Sequence, residues 1–204
     1  MIHCHAPSSP HAAARSTLPL AAAPRAPVRV RPLAFADYDA LVPALTALLC
    51  DAVQHGAFLG FVAPLAPHEA RAYWHGLRAE LQLGTRLLFV AWSAQTPIGC
   101  AQLALAPWPN ARHRAEINKL FVAPALRGLG VGGALLDAMH EAALRLERTL
   151  VVLGTQQGGA PVAFYKRHGY REAGVIPGYM SDAAGVRHGN VQMYRELAAT
   201  GARA

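Results

Sequence analysis

Four glycines fall within six positions of "RGLGVGG", residues 127–133, between the apolar run "LFV" and a stretch with helical spacing. Glycines let a backbone approach a ligand closely, and the unpaired N–H groups and positive dipole end of a helix start attract anions. Gly128, Gly130 and Gly133 satisfy G-x-G-x-x-G, the turn of a dinucleotide site. In such a site the glycines follow the strand almost directly and an acid ends the next strand to hold the ribose. Here Ala123 to Arg127 intervene after Val122, the next strand-like run ends in Gly154 and Thr155, and Glu147 precedes that run. A phosphate loop needs a lysine after its last glycine, whereas Ala134 and Leu135 stand there. Arg127, Gly130 and Gly132 form R-x-x-G-x-G at a helix start, which offers a diphosphate several backbone donors. A purely architectural glycine turn is the competing reading.

Glu116 is an acid inside an otherwise apolar run, "AEINKLFV". Strand alternation puts it on one face with Asn118 and Leu120. An acid so placed is either a partly buried base or a sheet-edge residue in a salt bridge. His113, in the neighbouring turn, either shares base work or is solvated. His55, His68, His75, His140, His168 and His188 show no metal spacing such as H-E-x-x-H, so they read as surface or capping residues and no metal is expected. Phe58 and Phe61 in "GAFLGFVAPL" either line a pocket or belong to the core.

These groups need a scaffold. "VRVRPL" alternates as a strand, and "FADYDALVPALTALLCDAVQHG" reads as a helix that Asp37 or Asp39 caps and Gly56 ends. "PHEARAYWHGLRAELQLG" follows as a second helix, with Pro67 in its first turn and Gly84 past its end. "RLLFVAW", "IGCAQLALAP" and "RAEINKLFVAP" are strands whose short turns imply antiparallel neighbours. "GGALLDAMHEAALRLE" is an amphipathic helix with Leu135, Leu136, Met139, Ala143 and Leu146 at core spacing. The strand "TLVVLGT", the short helix "APVAFYKRHG" and the strands "YREAGVIPGYM" and "GNVQMYREL" complete one mixed α/β sheet covered by helices.

The chain has 204 residues, enough for one well-buried domain, with 53% hydrophobic content and 7% aromatics of the globular kind. Residues 1–27, rich in Ala, Pro, His and Ser, show no sustained period and read as a disordered extension, leaving 28–204 as the domain. The net charge of +7 is almost wholly arginine, because Lys119 and Lys166 are the only lysines, and it is scattered rather than clustered. Nucleic acid is therefore not the expected partner; an anionic small ligand fits better. Cys4, Cys50 and Cys100 are odd in number and far apart, which excludes a disulfide framework and fits a reducing, cytoplasmic setting. No apolar run is long enough to span a membrane.

The R-x-x-G-x-G spacing, followed by helix, strand and "AFYKRHGY" with Tyr165 four residues before Gly169, resembles the GNAT N-acetyltransferase superfamily over about residues 28–197. "GAFLGFVAPL", "RHRAEINKLFV" and "REAGVIPGY" are similar to its tabtoxin-resistance subgroup. The resemblance implies a mostly antiparallel sheet, helices on both faces, and two splayed parallel strands, "INKLFV" and "TLVVLG", with acetyl-CoA between them. It implies main-chain contacts to the cofactor from Leu120, Phe121 and Val122. The diphosphate would rest on the amides of Arg127, Gly128, Leu129, Gly130, Val131, Gly132 and Gly133, with the Arg127 guanidinium assisting from the side. Bulk at Gly130 or Gly132 would then enter the anion's space or force a disfavoured φ. Glu116 is matched with a base, acting directly or through a water, and Tyr165 with the acid that protonates the departing sulfur. Where that subgroup carries an acid in "LDT", this chain has Gly154, which leaves the acceptor open. The expected activity is transfer of acetyl from acetyl-CoA to a primary amine of a small molecule by a homodimeric enzyme. The alternatives are a non-catalytic acyl-CoA-binding domain and a protein or peptide acetyltransferase.

Overall fold

The computed structural model describes residues 27–198, so the extension expected at the N-terminus lies outside the described residues apart from Pro27. Seven strands form one sheet in the order β1-β2-β3-β4-β5-β7-β6. They are β1 (Val28–Pro32), β2 (Arg86–Ser93), β3 (Thr96–Leu105), β4 (Arg114–Val122), β5 (Leu150–Gln156), β6 (Arg171–Ser181) and β7 (Arg187–Glu196). Only β4 and β5 run parallel; every other pair is antiparallel, as the short turns between strands predict.

Helices cover both faces. On one, α4 (Val131–Arg145) buries Leu135, Leu136, Met139 and Ala143 against Phe89, Ala101, Leu103, Ile117, Val151 and Met193. Each such large side chain contributes roughly 1.5–3 kcal/mol by leaving water, which makes this stripe the main attachment of the helix. Leu146, expected in the same stripe, sits at the C-terminal cap and is 42% exposed, because the chain leaves the helix before the face comes round again. On the other face, α1 (Tyr38–Gln54) and α2 (Pro67–Gly76) pack Leu45, Leu49 and Trp74 over Leu88, Val90, Cys100 and Phe121.

Two details of the early helices differ from the sequence reading. Neither Asp37 nor Asp39 caps α1 with its side chain; a 3-10 turn over Phe35–Asp37 leads into the helix, and Asp39 pairs with Arg78 instead. The expected single helix over 67–84 breaks after Gly76 and resumes as α3 (Arg78–Gln82). Glycine costs about 1 kcal/mol in a helix interior, and Gly76 stands at that break. Pro67 does occupy the first turn of α2, and Gly84 at φ +68° follows α3.

Candidate active site

Parallel pairing between β4 and β5 covers only Arg114 to Glu116 against Leu150 to Val152. Beyond Glu116 the two strands part. A local break in β4 accompanies the parting: the register to β3 shifts between Cys100 and Gln102, and Lys119 adopts φ +49°. One extra residue in a strand reverses the facing of everything after it. Glu116 and Asn118 accordingly face the α1/α2 side, whereas Leu120 and Val122 turn toward α4. The expectation that Glu116, Asn118 and Leu120 share one face fails at Leu120 for this reason.

A cavity of about 920 Å³ runs through the gap. Glu116 lines it from the α1/α2 face, and Tyr165 on α5 (Ala160–Arg167) lines it from the α4 face, so the parted strands admit both side chains to one space. Glu116 is exposed to this cavity and takes part in no salt bridge among the described residues, so the salt-bridge reading fails and its carboxylate is open to the cavity. Among the described residues it is the only carboxylate on the wall. Tyr165 is 7% exposed and packs edge-on against Phe164 and Tyr170; burial raises its phenol well above its ordinary value and keeps it protonated. His113 is exposed in its turn and does not line the cavity.

The glycine turn forms the far end. Gly128 and Gly130 have φ of +78° and +83°, a region that disfavours any side chain, and Gly130 is the N-cap of α4. Among the described residues, the N–H groups of 128–133 donate to no backbone carbonyl, so a set of donors converges at the positive end of a 15-residue helix. Gly132 and Gly133 line the cavity and also have a packing role. A Cβ at Gly132 would meet Phe164 Cζ at 3.2 Å, and one at Gly133 would meet His168 Nε2 at 3.0 Å, so these glycines let α5 pack against α4. The Arg127 guanidinium donates to the carbonyls of His55 (3.1 Å) and Ala52 (3.5 Å) at the C-terminal end of α1. It ties the turn to that helix at the rim of the cavity that Arg127 also lines.

Three residues on the walls were not found from the sequence. Lys119, at the strand break, donates its ammonium to the Leu59 carbonyl and stands 5.3 Å from the centre of the Phe61 ring, and burial lowers its pKa. Asn190 and Gln192 of β7 crowd the position where the resembled subgroup has an acid: a Cβ on Gly154 would lie 2.7 Å from Asn190 Nδ2 and 3.1 Å from Gln192 Nε2. The available signal was the alternation of β7, in which Asn190 and Gln192 face away from the apolar Val191 and Met193. Phe58 lines the cavity and meets the His188 ring edge-on at 5.4 Å, joining the α1–α2 loop to the β6–β7 hairpin, whereas Phe61 packs on Tyr73. His140, expected at the surface, is 7% exposed, bonded to the Tyr170 hydroxyl at 2.8 Å, and burial pushes its pKa down to about 4. No group of three or more metal-ligating side chains occurs among the described residues.

Residues 84–172 match the acetyltransferase (GNAT) domain family. An uncharacterized N-acetyltransferase of Methanocaldococcus jannaschii is 41% identical over 71 residues, 34% of this chain and only 31% of that protein. The fold is shared with yncA of Salmonella typhimurium, described as an acetyltransferase and solved with its cofactor acetyl-CoA (TM-score 0.66, 21% identity, 86% of this chain and 96% of that one). It is shared equally with a ribosomal-protein-alanine N-acetyltransferase of Brucella melitensis (TM-score 0.64, 21% identity, 83% and 99%). The segment that matches the GNAT acetyltransferase domain contains the turn, the parting strands and the Tyr165 helix, so the similarity falls on the part of the chain that builds this cavity.

Proposed function

We propose that the protein transfers acetyl from acetyl-CoA to a primary amine of a small molecule. One observation carries this reading: a single cavity passes between the parted β4 and β5, with Glu116 entering from one face and Tyr165 from the other, and ends on the unpaired amides of 128–133. Acetyl-CoA fits this shape, since its diphosphate needs a cluster of donors and its extended amide-bearing arm needs free strand edges such as those of Leu120, Phe121 and Val122.

Acetyl-CoA supplies the activated acyl group; the chain must supply orientation and two proton positions. The amides of Gly128 to Gly133 anchor the diphosphate. The Glu116 carboxylate accepts the proton that the amine loses, directly or through a water. The Tyr165 hydroxyl, protonated across the working pH range, donates to the departing sulfur. A backbone N–H near Leu120, freed where the strands part, polarises the acyl carbonyl.

A second copy of the chain is the expected partner. β6 ends the sheet, is exposed along nearly its whole length, and carries Val175 and Ile176 at 42% and 46% exposure. An edge strand with exposed apolar side chains is a template for pairing, here over the stretch before Pro177. Cys50 and Cys100 are free thiols, which suits a cytoplasmic setting, and no helix among the described residues is long and apolar enough to cross a membrane.

The test is acetyl-CoA titration by calorimetry, followed by release of CoA thiol across a panel of amines. Binding with release that falls sharply in Tyr165→Phe supports the reading. Binding without release from any amine would make the protein an acyl-CoA sensor, and binding of NADH in place of acetyl-CoA would return the turn to a dinucleotide site.

A further inference from the structure

The strand register sets Glu116 of β4, Gly154 of β5, and Asn190 and Gln192 of β7 on the same face of the sheet. Glu116 pairs with Val152, Gly154 stands two residues on, and Gly154 is paired in turn with Gln192. All four line the cavity. Asn190 is 4% exposed, and its Oδ1 is buried with no hydrogen-bond partner. A buried, unsatisfied carboxamide destabilises the protein that carries it, so a reason to keep it is needed. Gly154 is the companion feature: any side chain there would overlap the Asn190 carboxamide, at 2.7 Å from Nδ2 and 2.9 Å from Oδ1. The absent side chain thus makes room for the amides of Asn190 and Gln192 to reach the wall.

We propose that Asn190, aided by Gln192, is the acceptor-recognition residue and that the acceptor is a primary amine bearing a neutral amide next to its amino group. This rests on the transferase reading above. A carboxamide carries one donor end and one acceptor end, and its best complement is another amide, which satisfies both at once. The charges on the page oppose the other choices. A carboxylate beside the amine would face Glu116 on the same side of the sheet, where Asn190 and Gln192 offer it no cation; the cations that line the cavity, Lys119, Arg127 and Arg167, stand on other elements, the first two with backbone carbonyl partners. A second amine would need a second carboxylate, and among the described residues the wall has only Glu116. Recognition through paired hydrogen bonds also discriminates steeply, because an analogue lacking the amide leaves Asn190 buried and unpaired.

The experiment compares alaninamide, propylamine and putrescine as acceptors for the wild type, Asn190→Leu and Asn190→Ser. The expected wild-type order places alaninamide at least tenfold above the other two in kcat/KM. Asn190→Leu should lower kcat/KM for alaninamide at least tenfold more than that for propylamine, and leave the KM for acetyl-CoA within twofold. Its melting midpoint without ligands should equal or exceed that of the wild type, because an unpaired polar group has been removed; a residue of merely structural importance would lower it. Asn190→Ser, small enough to fold without strain, should show the same selective loss. Equal wild-type rates for alaninamide and propylamine, or undiminished alaninamide turnover in both variants, overturn the proposal. If no amine releases CoA, the transferase reading fails by itself. The Asn190 assignment is then decided by calorimetric titration of alaninamide into the CoA-loaded protein: binding that disappears in Asn190→Leu sustains it, and no binding to the wild type overturns it.

Discussion

Substituting Gly130 by alanine separates the two reasons a glycine can be needed in the turn. Gly130 holds φ +83°, and a Cβ built on it meets nothing within 4 Å, so the cost of the methyl is backbone strain alone. Left-handed backbone costs an L-residue about 1–2 kcal/mol. For a domain of this size each kcal/mol lowers the melting midpoint by roughly 2–4 °C. The chain can relieve the strain only by rotating the peptides at the N-cap, which turns the N–H groups of Val131 and Gly132 away from a shared centre. A hydrogen bond to a charged group contributes about 1.5–3 kcal/mol, so losing two should weaken acetyl-CoA binding by roughly 100-fold or more. Gly84→Ala is the matched control, since Gly84 has φ +68°, equally open space and no place on the cavity wall. Calorimetry should show acetyl-CoA affinity lost in Gly130→Ala and kept in Gly84→Ala, with similar falls in midpoint for both. If Gly130→Ala melts lower yet binds acetyl-CoA within twofold of the wild type, the amides of the turn do not hold the cofactor.

Four further outcomes are expected. Tyr165→Phe should reduce kcat by about 100-fold or more while acetyl-CoA affinity stays unchanged, as for loss of a general acid; single-turnover kinetics will separate the two. Glu116→Gln should lower kcat/KM for the amine and abolish the acid limb of its pH profile, whereas an unaltered profile would remove Glu116 from the chemistry. His140 is neutral in the fold, with its pKa pushed from 6.5 down to about 4, so between those values the unfolded chain takes up a proton that the folded chain refuses. Stability should therefore fall as pH drops from about 6.5 to 4, by up to about 3 kcal/mol from this group, and a melt series with His140→Gln should show a shallower decline. Ile176→Lys on β6 should convert a dimer to a monomer in light scattering without changing the fold; a monomeric wild type would dismiss the edge-pairing expectation.

The fold was legible because its elements are signalled locally. The continuous apolar run in "RLLFVAW" marks a strand buried on both faces, and helical spacing at Leu135, Leu136 and Met139 marks one face of one helix. The break after Gly76 was harder to see, since a single glycine inside a helical pattern is usually tolerated. The break at Lys119 had no signal at all: a residue that is neither glycine nor asparagine took the left-handed conformation, where the register to β3 shifts. Every statement about which β4 side chains share a face depended on that residue.

The site divides along a similar line. The proposed cofactor end is built from consecutive residues, 127–133 on one turn and helix start, so spacing alone could suggest it. The acceptor end is assembled across the sheet from Phe58, Glu116, Gly154, Asn190 and Gln192, and no spacing relates them. Two of the residues that matter most to the acceptor proposal, Asn190 and Gln192, also lie outside residues 84–172, the segment that the family match covers. What a turn holds can be read from its own sequence, because backbone amides recognise a diphosphate whatever surrounds them. What an amine pocket selects cannot, because selectivity here comes from a missing side chain on one strand and the two amides on its neighbour that occupy the space. Gly154 alone reads as a lost function; next to Asn190 it reads as a changed one.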